Sequence, residues 1–327
     1  MDDFGTQAGT LAASTLRMST PLLLAALAGC VSERAGVIDL GLEGKMLLTA
    51  FAAGAVGALS GSFPLALAAA LAVGVALSML HAYGCVSHPG DQVVMGIAIT
   101  MTAAGLSVVL GIAWFGLGGQ TPPVSDAVRL PPLFIGLGQV LAEVPVVGRP
   151  LALALTGHNA LVYAALALAV GVWWLLYHTR FGLRLRAVGE NPAMVDAAGV
   201  SVTGLRYRAL AINGALCALA GSYLVLALNA NFSPHMTAGR GYMALAAMIF
   251  GKWHPLGALA ACLLFGFLDA ASIRLQGVAL PALLGGGEVP VQAIQALPYV
   301  LTVVLLAGFI GRARAPRALG LPYLKER

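Results

Sequence analysis

The sequence predicts an all-α protein, a polytopic transmembrane helical bundle of about nine or ten spans, some of them short or broken. Two observations support this fold class: the composition, and the repetition of apolar runs long enough to cross a bilayer. Of the 327 residues, 59% are hydrophobic and only 9% are charged, and the mean hydropathy is +0.89. Soluble domains carry ~25% charged residues, so this chain must face lipid over most of its exterior. The composition argues against a secreted enzyme, a nucleic-acid-binding protein and a disordered regulator.

Apolar runs bounded by charge, proline or glycine mark the individual spans, because a bilayer core of ~30 Å needs ~20 apolar residues per helix. The visible runs are 10–31, 45–60, 64–86, 93–117, 158–177, 207–228, 255–273 and 293–310. A further stretch, 242–250, is apolar but too short to cross unaided. With residues from Thr237 onward it is expected to form an interrupted crossing, or half of a broken helix.

Basic residues orient the chain, since cationic loops are retained on the cytoplasmic side. Ten of the 18 lysines and arginines lie in or beside the connection 179–206 and in the tail 312–327, so both segments are predicted to be cytoplasmic. By helix count, the proline-containing connection 118–157 and the acidic N-terminus lie outside. The whole chain, 1–327, is therefore interpreted as one transmembrane domain.

The cytoplasmic connection contains the signals of a short helix. Asn191 suits the N-cap, Pro192 the first helical position, and Gly199 the left-handed residue that closes a helix. A helix of about two turns is not stable alone in water, so Met194 and Val195 need a surface to pack against. That surface is either the membrane domain itself, with the arginines only fixing topology, or a partner protein. The local chemistry leaves both open.

Three segments resemble a known family. The run 180–200, with Gly-Leu-Arg-Leu-Arg-Ala-Val-Gly-Glu-Asn-Pro followed by Ala-Ala-Gly-Val, resembles the cytoplasmic coupling segment of ABC-importer permeases of the branched-chain amino acid and simple-sugar class. The runs 32–47 and 239–257 resemble two stretches typical of the nucleoside (purine or pyrimidine nucleoside) branch of those permeases. The order and spacing of the three segments also match.

The resemblance implies a multi-pass permease subunit in a bacterial plasma membrane, translocating nucleosides or simple sugars. In that family two permeases form the pore, two ATPase subunits dock below it, and an external solute-binding lipoprotein or periplasmic protein delivers the small-molecule ligand. The second permease would be a related paired chain or a copy of this one. The residues expected to couple to the ATPase are Arg184, Arg186, Glu190, Asn191, Pro192, Met194, Val195, Asp196 and Gly199.

The segment between the first two spans places five ionisable residues among glycines. They are Glu33, Arg34, Asp39, Glu43 and Lys45. Charged groups at membrane depth are costly unless they pair or line a hydrated path. The segment is therefore either a solvated cytoplasmic turn or a broken helix, in which Gly36, Gly41 and Gly44 let the backbone approach the translocation path.

Polar residues in and beside the spans supply the other candidates for the translocation path. The path is expected near Asp39, Gly41, Glu43, Asn213, Gly239, Arg240, Tyr242 and Asp269. Two of these have a structural alternative. Asn213 could hydrogen-bond across helices, and Asp269 is expected to pair with Arg274 or Arg240 rather than to contact substrate.

Motifs for catalysis are missing from the sequence: there is no GxxxxGKS or GxxxxGKT, no HExxH, no GxSxG and no cysteine or histidine cluster. We therefore expect no enzyme activity, no metal and no bound cofactor, with ATP and magnesium used by the partner ATPase. No nucleic-acid partner is expected. The alternative is an ion-coupled secondary transporter of a small polar solute, with Asp39, Glu43 and Asp269 as the coupling carboxylates.

Overall fold

The computed structural model describes residues 2–144, 148–275 and 314–324, together with the single positions 296, 300 and 304. Regular secondary structure in these residues is helical, which confirms the all-α class. The helices are α1 (Asp2–Arg34), α2 (Leu42–Ser60), α3 (Phe63–Ala82), α4 (Gln92–Phe115), α5 (Ile135–Ala142), α6 (Gly148–Leu155), α7 (Ala160–His178), α8 (Arg180–Glu190), α9 (Pro192–Ala197), α10 (Val202–Tyr223), α11 (Arg240–Phe250) and α12 (Pro255–Leu275).

Seven of the described helices are long and apolar enough to cross a membrane: α1, α2, α3, α4, α7, α10 and α12. Each coincides with most of one of the predicted runs up to residue 273. The predicted run 293–310 lies outside the described residues, apart from positions 296, 300 and 304.

Helix α1 is the centre of the bundle. Leu22, Leu24 and Leu27 are completely buried, and α1 packs against α7, α10, α11 and α12. A helix that is apolar on every side must be surrounded by protein or lipid, and here the neighbouring helices surround it. In the apolar 18-residue stretch of α3 and in that of α4, only 22% is buried within the chain, against 83% in α2. The faces of α3 and α4 are therefore left for lipid or for another subunit.

The predicted interrupted crossing is present. After α10, Phe232 packs edge-on against Phe51 in the middle of α2, and Gly239 contacts Glu43 at the start of α2. Helix α11 then continues in the same direction and brings Trp253 to the end of α1, where Arg34 binds its carbonyl oxygen. The chain thus runs along α2 toward the end of α1, first as irregular backbone and then as helix α11. Irregular backbone is tolerated at this depth because it is buried against protein.

The two ends of the bundle differ. At one end, here called the connection end, residues 116–159 form a long connection that contains α5 and α6. The N-terminal turns of α1 pack on it, since a Cβ on Gly9 would meet Pro150 at 2.8 Å. At the opposite end, here called the coupling end, α8 lies beside the last turn of α1, and α9 packs on α8 and α10. The predicted external location of both the N-terminus and 118–157 thus agrees with their position at one end.

Small residues let α3 and α10 touch through their backbones. A Cβ on Gly214 would lie 2.4 Å from the Gly74 carbonyl oxygen, and a Cβ on Gly74 would lie 2.5 Å from that of Gly214. Ser78 and Ala82 continue the same face and are completely buried. The spacing of these small residues therefore serves close helix packing.

We expect Gly214→Val to destabilise the bundle by ~1–3 kcal/mol, because the new side chain overlaps backbone atoms that cannot rotate away. The matched control is Gly171→Val on α7, where a Cβ meets nothing within 4 Å. Melting temperatures of the purified proteins in detergent distinguish the two. Equal melting temperatures would contradict the close packing of α3 on α10.

Candidate functional site

A buried polar cluster lies where α2 begins. The Lys45 ammonium is 2.7 Å from Asp39 Oδ2 and both side chains have no exposed area. Lys45 Nζ also donates to Asn213 Oδ1 at 3.0 Å and lies 3.4 Å from His81 Nδ1. An ammonium has three donors; two of them have oxygen acceptors here, and His81 Nδ1 accepts the third only in the tautomer that carries no proton on that nitrogen. The cluster joins α2, α3 and α10 to the segment between α1 and α2.

The cluster extends from Asn213 to the neighbouring hydroxyl groups. Ser78 donates to Asn213 Oδ1 at 3.1 Å, and the Asn213 amide donates to the Ser32 hydroxyl at 3.3 Å. The Asn213 side chain therefore links α10 to both α3 and α1. This geometry supports the structural alternative for Asn213, a hydrogen bond across helices.

The backbone between α1 and α2 is arranged to bring Asp39 into the bundle. Gly36 has a φ of +81°, which a residue with a side chain rarely adopts. Gln92 Oε1 accepts from the Ile38 amide at 2.7 Å, and Asp39 Oδ1 accepts from the Gly41 amide at 3.0 Å. A Cβ on Gly44 would lie 2.4 Å from Thr100 Cα, so α2 starts in direct contact with α4.

The interpretation of this segment as a solvated turn is wrong. Glu33, Asp39, Glu43 and Lys45 are all buried, and the Trp253 indole donates to Glu33 at 2.6 Å. The broken-helix interpretation describes the backbone correctly, but its glycines approach protein rather than an open path. Gly41 and Gly44 lie against α4, and Gly36 lies against α8 and the C-terminal segment.

Glu43 has a different role from Asp39. Its two carboxylate oxygens accept from the amides of Gly239 at 2.8 Å and Gly241 at 2.6 Å. These amides lie at the N-terminus of α11, where unpaired donors and the helix dipole favour a negative charge. A Cβ on Gly241 would meet the Glu43 backbone at 2.5 Å. The carboxylate therefore fastens the short helix of the interrupted crossing to α2.

Asp269 forms neither of its two expected ion pairs in the described residues, although Arg240 is near enough for its charge to act on the carboxyl group. Arg274 instead donates to the Gln7 carbonyl and the Thr10 hydroxyl of α1, and Arg240 donates to the Met236 carbonyl at 3.1 Å. Within the described residues, Asp269 makes no ion pair within 4.0 Å. Helical spacing put Arg274 and Asp269 on neighbouring faces, but the arginine is turned toward α1.

The residues expected near the translocation path thus divide into two groups and two separate residues. Asp39, Gly41 and Asn213 lie in or beside the buried cluster. Glu43, Gly239 and Arg240 meet at the start of α11. Tyr242 is 46% exposed on the first turn of α11. Asp269 is separate, on α12.

Two members of the cluster, Lys45 and His81, were not among the residues expected near the path. Lys45 was named only as an ionisable residue beside Asp39, because its partners His81 and Asn213 are remote in sequence. His81 was not named at all, yet its Nδ1 lies 3.2 Å from Asp39 Oδ1. The sequence did contain one signal for His81, its position. His81 directly precedes Ala82, at the end of a span whose small residues face α10.

The coupling end confirms the predicted short helix and adds a second one. Asn191 caps α9 by accepting from the Met194 amide at 3.2 Å, Pro192 takes the first position, and Gly199 has a φ of +76°. The preceding arginine-rich residues form α8, which sequence analysis did not anticipate. Thr179 caps this helix through the Gly182 amide, and α8 packs on α7 because Gly182 has no side chain to meet Leu176.

The apolar residues of α9 divide between the two alternatives. Val195 is buried in a small cluster with Val188, Val202 and Leu205 of the same chain. Met194 is 70% exposed. The helix is therefore fixed to its own domain on one side and leaves an apolar side chain free on the other.

The charged residues of this end also divide. Arg184 and Glu190 are exposed, whereas Arg186 lies over the Tyr177 ring with its guanidinium carbon 4.5 Å from the ring centroid. Arg34 donates to the Trp253 and Lys252 carbonyls and to the Tyr177 hydroxyl. Arg34 thus joins the ends of α1, α7 and α11 by hydrogen bonds, next to α8.

We expect Lys45→Met to lower the free energy of unfolding by ~3–5 kcal/mol, because the variant leaves the Asp39 carboxylate buried without its main partner. The double variant Asp39→Asn, Lys45→Met removes both charges and should recover much of that loss. Thermal unfolding of the single and double variants in detergent measures the coupling. Purely additive effects of the two substitutions would contradict a mutually dependent pair.

Comparison with known proteins agrees with this architecture. The chain is 37% identical over 318 residues to the guanosine ABC transporter permease protein NupQ of Bacillus subtilis, covering 95% of each chain. It is 34% identical to the nucleoside ABC transporter permease protein NupC of Lactococcus lactis, covering 97% of each. It is also 27% identical to the glucose ABC transporter permease protein TsgB13 of Haloferax volcanii, over 90% of this chain and 76% of that one.

The relatives are permeases of ABC transporters, so the alternative of an ion-coupled secondary transporter is not supported. Relatives of this kind also imply ATPase and substrate-binding partners in general. The apolar helices and the relatives together identify a multi-pass protein of the bacterial plasma membrane. Residues 11–309 match the model described as branched-chain amino acid transport system / permease component, and the chain belongs to that family.

Proposed function

We propose that this permease subunit imports nucleosides, driven by ATP hydrolysis in a partner subunit that docks on α8 and α9. The observation that supports docking is the exposure of Met194 on a helix whose other large apolar residue, Val195, is buried in the chain itself. A helix of six residues has little stability of its own. Because Val195 anchors α9 to the membrane domain, α9 can transmit a movement of the ATPase to that domain without unfolding.

The coupling end faces the cytoplasm in this proposal. Arginines concentrate there: Arg180 and Arg184 are exposed on α8, and Arg314 and Arg317 are exposed in the C-terminal segment. Cationic loops are retained on the cytoplasmic side, which is also the side where ATP is available. The connection end and the N-terminus are then external, where a solute-binding protein would deliver the ligand.

The docking surface consists of the exposed side of α8 and α9. Leu183 and Met194 are its large apolar residues, 61% and 70% exposed. Arg184 and Glu190 are exposed beside them and would bind polar groups at the rim of a groove in the ATPase. Asn191, Pro192 and Gly199 act indirectly by fixing the start and end of α9.

A second permease would complete the pore. The outer faces of α3 and α4 expose large apolar side chains, among them Leu80, Met101 and Val109. Such faces suit lipid or a neighbouring helix equally in chemistry. The pairing is proposed on family grounds, with a related chain or a second copy of this one as the partner.

Nucleosides are the proposed ligand because two relatives of nearly full length have guanosine or nucleoside permease in their names. Simple sugars are the second choice, because a putative glucose ABC transporter permease of Haloferax volcanii is 35% identical over 93% of this chain. We propose that the chain itself binds no metal or cofactor and performs no catalysis, with ATP and magnesium bound by the partner ATPase.

Replacing the exposed apolar residue of α9 tests the docking surface. We expect Met194→Asp to weaken ATPase binding by about tenfold or more, equivalent to ~1.4 kcal/mol, since it puts a charge into an apolar contact. Met194→Leu is the matched control and should keep normal binding. Co-purification of the ATPase with the detergent-solubilised permease measures the effect. Unchanged co-purification and uptake in Met194→Asp would rule out this docking surface.

A panel of competitors tests the ligand class. Uptake of a radiolabelled nucleoside by the reconstituted importer, supplied with its solute-binding protein and ATP, should be inhibited by unlabelled guanosine and other nucleosides. Ribose and glucose should inhibit much less. Inhibition by the sugars alone would assign the importer to the sugar branch.

A further inference from the structure

We propose that the C-terminal segment 314–324 is a positioning element for coupling, which locks α8 and α9 to the start of α2 so that these parts move as one body. This inference deepens the proposed docking of an ATPase on α8 and α9 and depends on it. The segment was expected only to be a basic tail. Its contacts identify it as part of the coupling end.

The first contact joins the segment to α8. The Ala318 amide donates to the Gly189 carbonyl at 2.8 Å, and Ala318 is buried. Gly189 lies in the last turn of α8, directly before the residue that ends the helix. A Cβ on Gly189 would lie 2.3 Å from the Arg34 carbonyl oxygen, so α8 is also pressed against the end of α1 at this point.

The second contact joins the segment to the turn between α1 and α2. The Gly320 amide donates to the Gly36 carbonyl at 3.1 Å. Gly320 has a φ of +77°, and a Cβ there would lie 2.8 Å from Ile38 Cδ1. Residue 38 directly precedes Asp39, so this contact reaches the buried polar cluster at the start of α2.

The third contact is made by Arg206 of α10, which is only 1% exposed. Its guanidinium donates to the Ala35 carbonyl at 3.2 Å and to the Leu321 carbonyl at 3.4 Å. From the sequence, Arg206 was counted only among the basic residues of the connection 179–206, with no structural role. Burying a guanidinium is costly. Here Nε and Nη1 have acceptors, Nη2 has none among the described residues, and the side chain bridges the C-terminal segment and the turn before α2.

A fourth contact reaches α9. Tyr323 packs on the cluster formed by Val188, Val195, Val202 and Leu205, which is the cluster that anchors α9. Without the C-terminal segment, α8 and α9 would keep Val195 in place but lose the backbone hydrogen bonds that run through residues 318 and 320 to the turn before α2. The segment therefore closes a continuous path of contacts from the docking surface to Asp39.

This arrangement predicts uncoupling rather than loss of docking. In the complete importer, reconstituted in proteoliposomes with its ATPase and solute-binding protein, a chain truncated after Arg317 should retain the ATPase and hydrolyse ATP. Nucleoside uptake per ATP hydrolysed should fall roughly tenfold, within the range of coupling between separate sites. A role in stability alone would reduce the amount of protein without changing this ratio.

Two further variants keep the test decisive if the truncated chain is not recovered. Gly320→Ala disfavours the left-handed conformation and crowds Ile38, and Arg206→Lys keeps the charge but loses the bridging geometry. Both should lower uptake per ATP, Arg206→Lys less severely. Leu324→Ser, at an exposed side chain of the same segment, is the matched control and should match the unmodified importer.

The outcomes separate this proposal from the one on which it depends. An unchanged ratio of uptake to ATP hydrolysis in Gly320→Ala and in the truncated chain, with Met194→Asp still defective in ATPase binding, would overturn the positioning role alone. Normal ATPase binding in Met194→Asp would overturn the docking surface itself. Loss of ATPase binding in the truncated chain or in Gly320→Ala, with Met194→Leu normal, would also overturn the positioning role, because the segment would then be a docking surface.

Discussion

The ion pair between Asp39 and Lys45 is the interaction on which the centre of this protein depends. Both charges are completely buried and only 2.7 Å apart. In a bundle surrounded by lipid, neither could remain ionised at that depth without the other. The pair determines where α2 starts, because Asp39 is held by the amide of Gly41 and Lys45 lies one turn into the helix. His81 and Asn213 then bring α3 and α10 to the same point.

The same constraint explains the interrupted crossing. A break in a membrane helix frees amide groups that water cannot reach, so another part of the chain must accept them. Glu43 does this for α11 with both of its oxygens. Since Glu43 lies two residues before Lys45, the two breaks in the bundle meet at the start of one helix. Charged residues that the sequence marked as candidates for a solute path therefore hold irregular backbone in place.

The coupling end is built from backbone contacts between small residues. Gly36, Gly189 and Gly320 allow three segments to approach within hydrogen-bonding distance, and Arg206 fills the space between them. Such a junction has few side chains that could rotate and absorb a displacement. This rigidity suits an element that must transfer motion from a soluble subunit to helices in the membrane.

Several elements could be predicted from sequence because their signals are local. The spans follow from apolar length, and α9 follows from Asn191, Pro192 and Gly199, whose effects act within a few residues. The family resemblance also rested on contiguous runs. Helix α8 was missed because its arginines indicated topology and concealed its helical periodicity.

The sequence by itself determined that this chain is a membrane bundle with a capped helix at one end, since hydropathy and capping are properties of short stretches. Only the tertiary structure decided which charges meet. Lys45 and Asn213 are 168 residues apart, Arg206 and Ala35 are 171 apart, and Asp269 gained neither of its expected arginine partners. Pairing at such separations is set by how helices pack against one another, and no local pattern of residues specifies that packing.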